Sequence, residues 1–224
     1  MIKNITIAID GPAGSGKSTA AKMIAEKFGF VYVDTGAMYR AITYIALRDG
    51  IAEDKEKVIN MVRRLSLGLK FENGLTRIFA NGDEVTDKIR SQEVNSKVSD
   101  LSLIPEVRVE LVKLQRKLGE YGNIVAEGRD TTTVVFPDAD IKIYLTASVD
   151  ERSKRRYKEF QAKHENISLE EVKHNIETRD QIDSSREISP LKKAEGAIVI
   201  DNSNTNIEDE MDFILTKIEE IKNK

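Results

Sequence analysis

The chain has 224 residues, with 35 Lys and Arg against 38 Asp and Glu, a formal net charge of −3, 40% hydrophobic residues and no cysteine. At about 150 residues per domain this is one large domain or a core with a sizeable insertion, and disulfide frameworks, thiolate metal sites, iron–sulfur clusters and cysteine nucleophiles are excluded. A slightly acidic total argues against bulk nucleic-acid binding, which needs a strongly basic domain.

Met1 to Asp10 lacks the basic flank and apolar stretch of a signal peptide, and no run approaches the roughly 20 apolar residues of a membrane span; the expectation is a cytoplasmic monomer that binds neither membrane nor nucleic acid. Ile2 to Asp10 predicts a parallel strand buried on both faces. A helix follows the next, glycine-rich segment, with Ala20, Ala21, Ile24, Ala25 and Phe28 on one face and Gly29 as its C-cap. Phe30 to Val33 predicts a second strand before Asp34-Thr35-Gly36, and Ala41, Ile42, Ile45 and Ala46 mark the next helix.

The pattern then changes. A charged helix up to Leu65 precedes strand-like runs Leu67 to Phe71 and Leu75 to Ala80, with Asn73-Gly74 and Asn81-Gly82 as antiparallel turn signals. Pro105 suits the first turn of a helix carrying Val107, Leu111, Leu114 and Leu118. Alternation resumes with strands Asn123 to Ala126 and Ile141 to Leu145, a basic helix from about Val149, and a helix opened by the capping box Ser168…Glu171. Strand Ala197 to Ile200 and a helix from about Asn206, opened by Thr205…Glu208, end the chain. Gly36 and Gly128 are read as closing successive parallel strands, yet they stand much farther apart than the about 30 residues of one βαβ unit. Residues 51–118 are therefore read as an insertion between the core segments 1–50 and 119–224.

Gly11-Pro12-Ala13-Gly14-Ser15-Gly16-Lys17-Ser18-Thr19 satisfies the phosphate-loop pattern between an apolar strand and a helix. Backbone N–H groups at a helix N-terminus cradle phosphate, Lys17 reaches the β and γ phosphates, and Ser18 holds Mg²⁺ through ATP. The guanine-reading Asn-Lys-x-Asp motif and the Leu-Ser-Gly-Gly signature of transport ATPases are absent. Instead Arg40, Arg129, Arg152, Arg155, Arg156, Arg179 and Arg186 stand near strand ends and in the last helices, which suits a second phosphorylated ligand.

Asp34-Thr35-Gly36-Ala37-Met38-Tyr39-Arg40, Glu127-Gly128-Arg129-Asp130 with Thr133-Val134-Val135-Phe136-Pro137, and Arg179-Asp180-x-x-Asp183-Ser184-x-Arg186 resemble the signature segments of bacterial cytidylate kinases, in register from Ile5 to about Ile200. Gln92-Glu93-Val94 and Pro105-x-Val107-Arg108 extend the match through the insertion. The resemblance implies a three-layer α/β/α fold on a five-stranded parallel sheet, a mixed α/β monophosphate-binding insertion, and a lid at about 152–164 bearing Arg152, Arg155 and Arg156. It also implies that Arg40, Arg129 and Arg186 hold the CMP phosphate, that Ser99, Arg108 and Asp130 read cytosine, and that Thr35, Arg179 and Asp183 complete the CMP site. The implied reaction is MgATP plus CMP, and also dCMP, giving ADP and CDP or dCDP. It needs no general base, because a monophosphate carries about −1.5 to −2 charge near pH 7.

The family has a bulky apolar residue and then glycine after Arg-Asp, where this chain has Thr131 and Thr132. His164 and His174 have no partner at metal-ligand spacing, and no role falls to them or to Tyr39. A kinase of the same class acting on UMP or AMP, and a nucleotide-dependent binding module without transfer activity, are the alternatives to be discriminated.

Overall fold

A computed structural model describes residues 4–72, 75–120, 122–162, 166–205 and 207–222. The turn at Asn73-Gly74, the strand start at Ile2, His164 and the helix start at Asn206 lie outside the described residues. Strands β1 (Thr6–Asp10), β2 (Val31–Asp34), β6 (Ile124–Gly128), β7 (Ile141–Thr146) and β8 (Ile198–Asp201) form a five-stranded parallel sheet in the order β2-β6-β1-β7-β8. β1 is central, and β6 is buried along its whole length, as a strand covered on both faces must be. Helices α1 (Lys17–Phe28), α2 (Thr35–Arg48), α6 (Val149–Ala162), α7 (Leu169–Ser185) and α8 (Ile207–Lys222) complete the α/β alternation.

Between α2 and β6 lie α3 (Lys55–Arg64), the antiparallel strands β3 (Leu67–Glu72), β4 (Leu75–Ala80) and β5 (Asp83–Glu84), then α4 (Gln92–Ser102) and α5 (Pro105–Gly119). Caps set the helix starts. Asp34 accepts from the Ala37 N–H at 2.8 Å, Ser91 from the Val94 N–H at 3.3 Å, and Ser168 with Glu171 forms the expected reciprocal box. Gly29 closes α1 at φ 67°, donating its N–H to the Ala25 carbonyl.

The apolar interior falls into two clusters. Ile7, Ile9, Tyr32, Val125, Ile143 and Leu145 of the sheet pack with Ala21 and Ile24 of α1 and Met211, Ile214 and Ile218 of α8. Met38, Ile42 and Ile45 of α2 pack instead with Val58, Ile78, Ile89, Val98, Val107 and Leu111 from the segment between α2 and β6. The helix next to the sheet in sequence thus gives its apolar stripe to the other core.

Three local expectations are corrected. β6 runs on to Gly128, which aligns Glu127 and Gly128 with Ile9 and Asp10 of β1; polar residues ended the apolar run, but backbone pairing did not stop there. Gly36 lies in the first turn of α2 because Asp34 caps that helix, so it does not close a strand. α4 and the two-residue β5 were not anticipated. α4 has only Val94, Val98 and Leu101 as its apolar stripe amid Asn, Ser and Asp, and β5 is charged throughout.

Candidate active site

The site lies at the C-terminal ends of the parallel strands, where an open α/β sheet places its ligands. Gly14 and Gly16 take φ 75° and 93°, a left-handed path that side chains oppose. A Cβ on Gly14 would also stand 3.2 Å from the Arg152 carbonyl oxygen. Lys17 opens α1, is 4% exposed, and donates its Nζ to the Pro12 carbonyl at 2.7 Å and to Ser15 Oγ at 3.2 Å. Burial, and after it the charge of Arg129, pulls the Lys17 ammonium down to about 7.

Next to Lys17, Ser18 donates its hydroxyl to Glu127 Oε1 at 2.6 Å, and Tyr32 donates its hydroxyl to the same oxygen at 3.1 Å. A hydroxyl and a buried carboxylate beside the phosphate loop form a hard-oxygen donor set of the kind Mg²⁺ prefers. Glu127 received no role from the sequence. Its signal was its place at the end of the strand flanking the phosphate-loop strand. Thr35 follows the Asp34 cap, and its buried hydroxyl donates to the Glu127 carbonyl at 2.7 Å.

A second group of cations stands across from the loop. Arg129 donates through Nε to Asp183 at 2.8 Å, and Arg186 donates to the other oxygen of Asp183 at 3.2 Å and to the Ser189 carbonyl at 2.8 Å. Burial alone would push the Asp183 carboxyl up; Arg129, Arg179 and Arg186 together hold it below its usual value. Arg179 has a buried Nε without a hydrogen-bond partner. Burial, then the charge of Arg129, draws its guanidinium down to about 10. Arg40 pairs with Asp34 at 3.0 Å and keeps an unpartnered buried Nε.

Arg108, 2% exposed, donates to Asp130 at 2.5 Å and to the Ser102 carbonyl at 3.1 Å, while its guanidinium lies 5.3 Å from the centre of the Tyr39 ring. Burial raises the Tyr39 hydroxyl, which has no partner. Ser99 sits in α4 with its carbonyl accepting from the Ser102 hydroxyl at 2.7 Å, and shares no hydrogen bond with the Arg108–Asp130 pair.

The α6 arginines separate. Arg152 is 4% exposed and bridges the Ala13 carbonyl of the phosphate loop, at 3.1 Å, to Asp180, at 2.6 Å. Arg155 holds Asn202 through its side-chain oxygen and its carbonyl, both at 2.9 Å, and Asn202 donates onward to the Ser15 carbonyl at 3.0 Å and to Glu210 at 2.7 Å. Arg156 pairs with exposed Glu159 at 2.6 Å and stacks on Phe160. Asn202 and Glu210 were not anticipated, since a polar residue just past an edge strand or on a helix face carries no local signal, and Asp180 stood in a signature segment but received no role.

The cytidylate kinase family model matches residues 7–220. The chain belongs to the cytidylate kinase family. It is therefore a phosphotransferase of the nucleoside monophosphate kinase class. Relatives named cytidylate kinase include those of Bacillus subtilis (strain 168), 46% identical over 221 residues covering 98% of this chain and 99% of that one, and Streptococcus agalactiae serotype V, 49% identical over 223 residues covering 98% of both. The crystal structure of an uncharacterized protein from Eubacterium ventriosum shares the fold, with a TM-score of 0.53 and 13% identity across 96% of this chain and 98% of that one. Among the described residues no helix is long and apolar enough to cross a membrane.

Proposed function

We propose that this cytidylate kinase family member transfers the γ-phosphoryl group of ATP to CMP and dCMP, yielding ADP with CDP or dCDP, as a cytoplasmic monomer in pyrimidine nucleotide metabolism that binds neither nucleic acid nor membrane. The observation that carries the reading is the pairing of two buried cation sets at one sheet edge. Lys17 serves a phosphate loop, and Arg129, Arg179 and Arg186 surround Asp183 next to the buried Arg108–Asp130 pair.

In this reading residues 11–19 cradle the ATP phosphates. Arg40, Arg129 and Arg186 take the CMP phosphate, with Arg179 and Asp183 toward the ribose and Thr35 bracing the sheet–helix junction beneath it. Asp130 accepts from the cytosine amino group, and Arg108, with Ser99 from α4, satisfies the ring acceptors. Uracil reverses those groups, and a buried polar site left with mismatched donors rejects a ligand by up to about 10⁴–10⁵.

A CMP phosphate oxygen forms the new bond to the γ-phosphorus as the bond to the β,γ-bridging oxygen breaks, the electron pair leaving with ADP. No proton needs removal from an acceptor already ionised near pH 7. Lys17 and the arginines align two anions and neutralise the charge spreading over the transferred group. Ser18 and Glu127 would hold Mg²⁺, which supplies charge neutralisation at the β and γ phosphates when bound.

Residues 51–118 with α2 then form the acceptor-binding part, and the lid spans about 152–164. Arg152 and Arg155 anchor the lid's base to the phosphate loop and Asn202, whereas Arg156 meets Glu159 and Phe160 of its own helix. A coupled ADP-release assay across CMP, dCMP, UMP and AMP tests the reading. Turnover with the two cytidine nucleotides and weak turnover with the others is expected; no ADP with CMP would overturn it.

A further inference from the structure

Asp10 ends β1 immediately before the phosphate loop, is fully buried, and gives both carboxylate oxygens to the loop after β6. Its Oδ1 accepts from the Thr131 N–H at 2.8 Å; its Oδ2 accepts from the Thr132 N–H at 2.7 Å and from the Thr132 hydroxyl at 2.5 Å. Those amides open a single π-helical turn, Thr131–Val135, so they belong to the class of helix-start donors that have no intrahelical acceptor. Directly before them stand Arg129, which meets Asp183, and Asp130, which meets Arg108.

We propose that Asp10 is a positioning residue for the phosphoryl acceptor: through Thr131 and Thr132 it fixes the backbone from which Arg129 and Asp130 reach phosphate and base.

The inference rests on the CMP-kinase reading for the identity of the acceptor. Asp10 touches neither Lys17 nor Ser18 by hydrogen bond; Lys17 is held by Pro12 and Ser15, and Ser18 by Glu127. Both oxygens of Asp10 are already committed to loop donors, which leaves Glu127, not Asp10, as the carboxylate paired with the phosphate-loop hydroxyl. The Asp10–Gly128 register of β1 on β6 sets the strand ends level, so the carboxylate can span to the next loop without distorting either strand. Two buried amides facing one carboxylate also define its chemistry: an amide side chain offers one acceptor oxygen and would turn an NH₂ donor toward an N–H. The acceptor loop and the phosphate loop therefore leave the sheet from a shared point, and the placement of CMP is tied to β1 rather than to the insertion alone.

The test compares Asp10→Asn, Thr132→Val and Thr132→Ser with the parent protein in steady-state kinetics against each substrate, alongside hydrogen exchange at the Thr131 and Thr132 amides. A hydrogen bond to a charged group is worth enough to shift an affinity about tenfold or more. Asp10→Asn is expected to raise KM for CMP about 10- to 100-fold with KM for ATP within about threefold, and to speed exchange of both amides. Thr132→Val should raise KM for CMP about three- to tenfold, and Thr132→Ser should restore it to within about twofold. Unchanged amide exchange, or KM for ATP rising in step with KM for CMP, overturns the proposal. If Asp10→Asn does not fold, the Thr132→Val and Thr132→Ser pair decides by the same split. A parent protein inactive on CMP would instead remove the acceptor assignment, and the exchange data would separate that failure from loss of the Asp10 anchor.

Discussion

Asp183, in the last turn of α7, receives Arg129 on one carboxylate oxygen and Arg186 on the other, at 2.8 and 3.2 Å. One buried negative charge thus holds two arginines from different segments, with Arg179 a third cation close by. Asp183→Asn keeps the shape and removes that charge. Breaking a buried pair costs about 3–5 kcal/mol, so urea denaturation should show a loss of that order. CMP should recover more stability in the variant than in the parent, because its phosphate replaces the missing negative charge among the arginines. Equal stabilisation of both proteins by CMP would contradict this account.

Lys17 supplies a pH signature. Burial, then Arg129, lowers its pKa from 10.5 to about 7 in the folded protein. Between those values the unfolded chain binds the extra proton, so this group's contribution to stability rises with pH from about 7 toward 10.5. ATP phosphates favour the ammonium, so nucleotide binding should take up a proton in the same window. Calorimetry at about pH 8 in buffers of different ionisation enthalpy should report uptake that disappears in Lys17→Met. Equal uptake in the variant would assign the proton elsewhere.

The Arg108–Asp130 pair makes base choice a measurable ratio. Asp130→Ala removes the acceptor proposed for the cytosine amino group and leaves Arg108 without its carboxylate. The ratio of kcat/KM for CMP over UMP is expected to fall by about 10²-fold or more, even if overall activity also drops. A preserved ratio would remove Asp130 from base reading.

Asn202 predicts coupling across four segments: β8, the phosphate loop, α6 and α8 meet at its carboxamide. Asn202→Ala and Arg155→Met should each raise KM for ATP several-fold. The double variant should be no worse than the more damaging single one, a non-additivity of about 0.5–3 kcal/mol typical of groups in one network. Additive losses would mean that Arg155 acts on nucleotide directly.

The parts of the molecule legible from sequence are those with a local cause. The alternation of apolar strands and striped helices yields the five-stranded parallel sheet, the glycines of the phosphate loop mark an anion cradle, and Ser168 with Glu171 marks the start of α7. What stayed hidden depends on tertiary pairing. β6 continues through Glu127 because β1 and β2 supply its hydrogen bonds, not because its residues favour a strand. Arg152 and Arg155 are indistinguishable in sequence from solvated helix arginines, and only the fold shows them bound to Ala13 and Asn202. The threonines at 131 and 132 likewise acquire meaning only opposite Asp10, more than a hundred residues earlier.

The two apolar cores share no residue, and the seam between them runs where β2 gives way to α2. Tyr32 is packed with the sheet, whereas Met38 and Ile42, on the helix bearing Arg40, are packed with the intervening segment. The buried Arg108–Asp130 pair and the bonds from Arg116 to the Val134 and Val135 carbonyls tie the second interior to the loop after β6. Truncating a side chain in one interior should therefore loosen that interior first and reach the other through these few polar ties, not through shared packing.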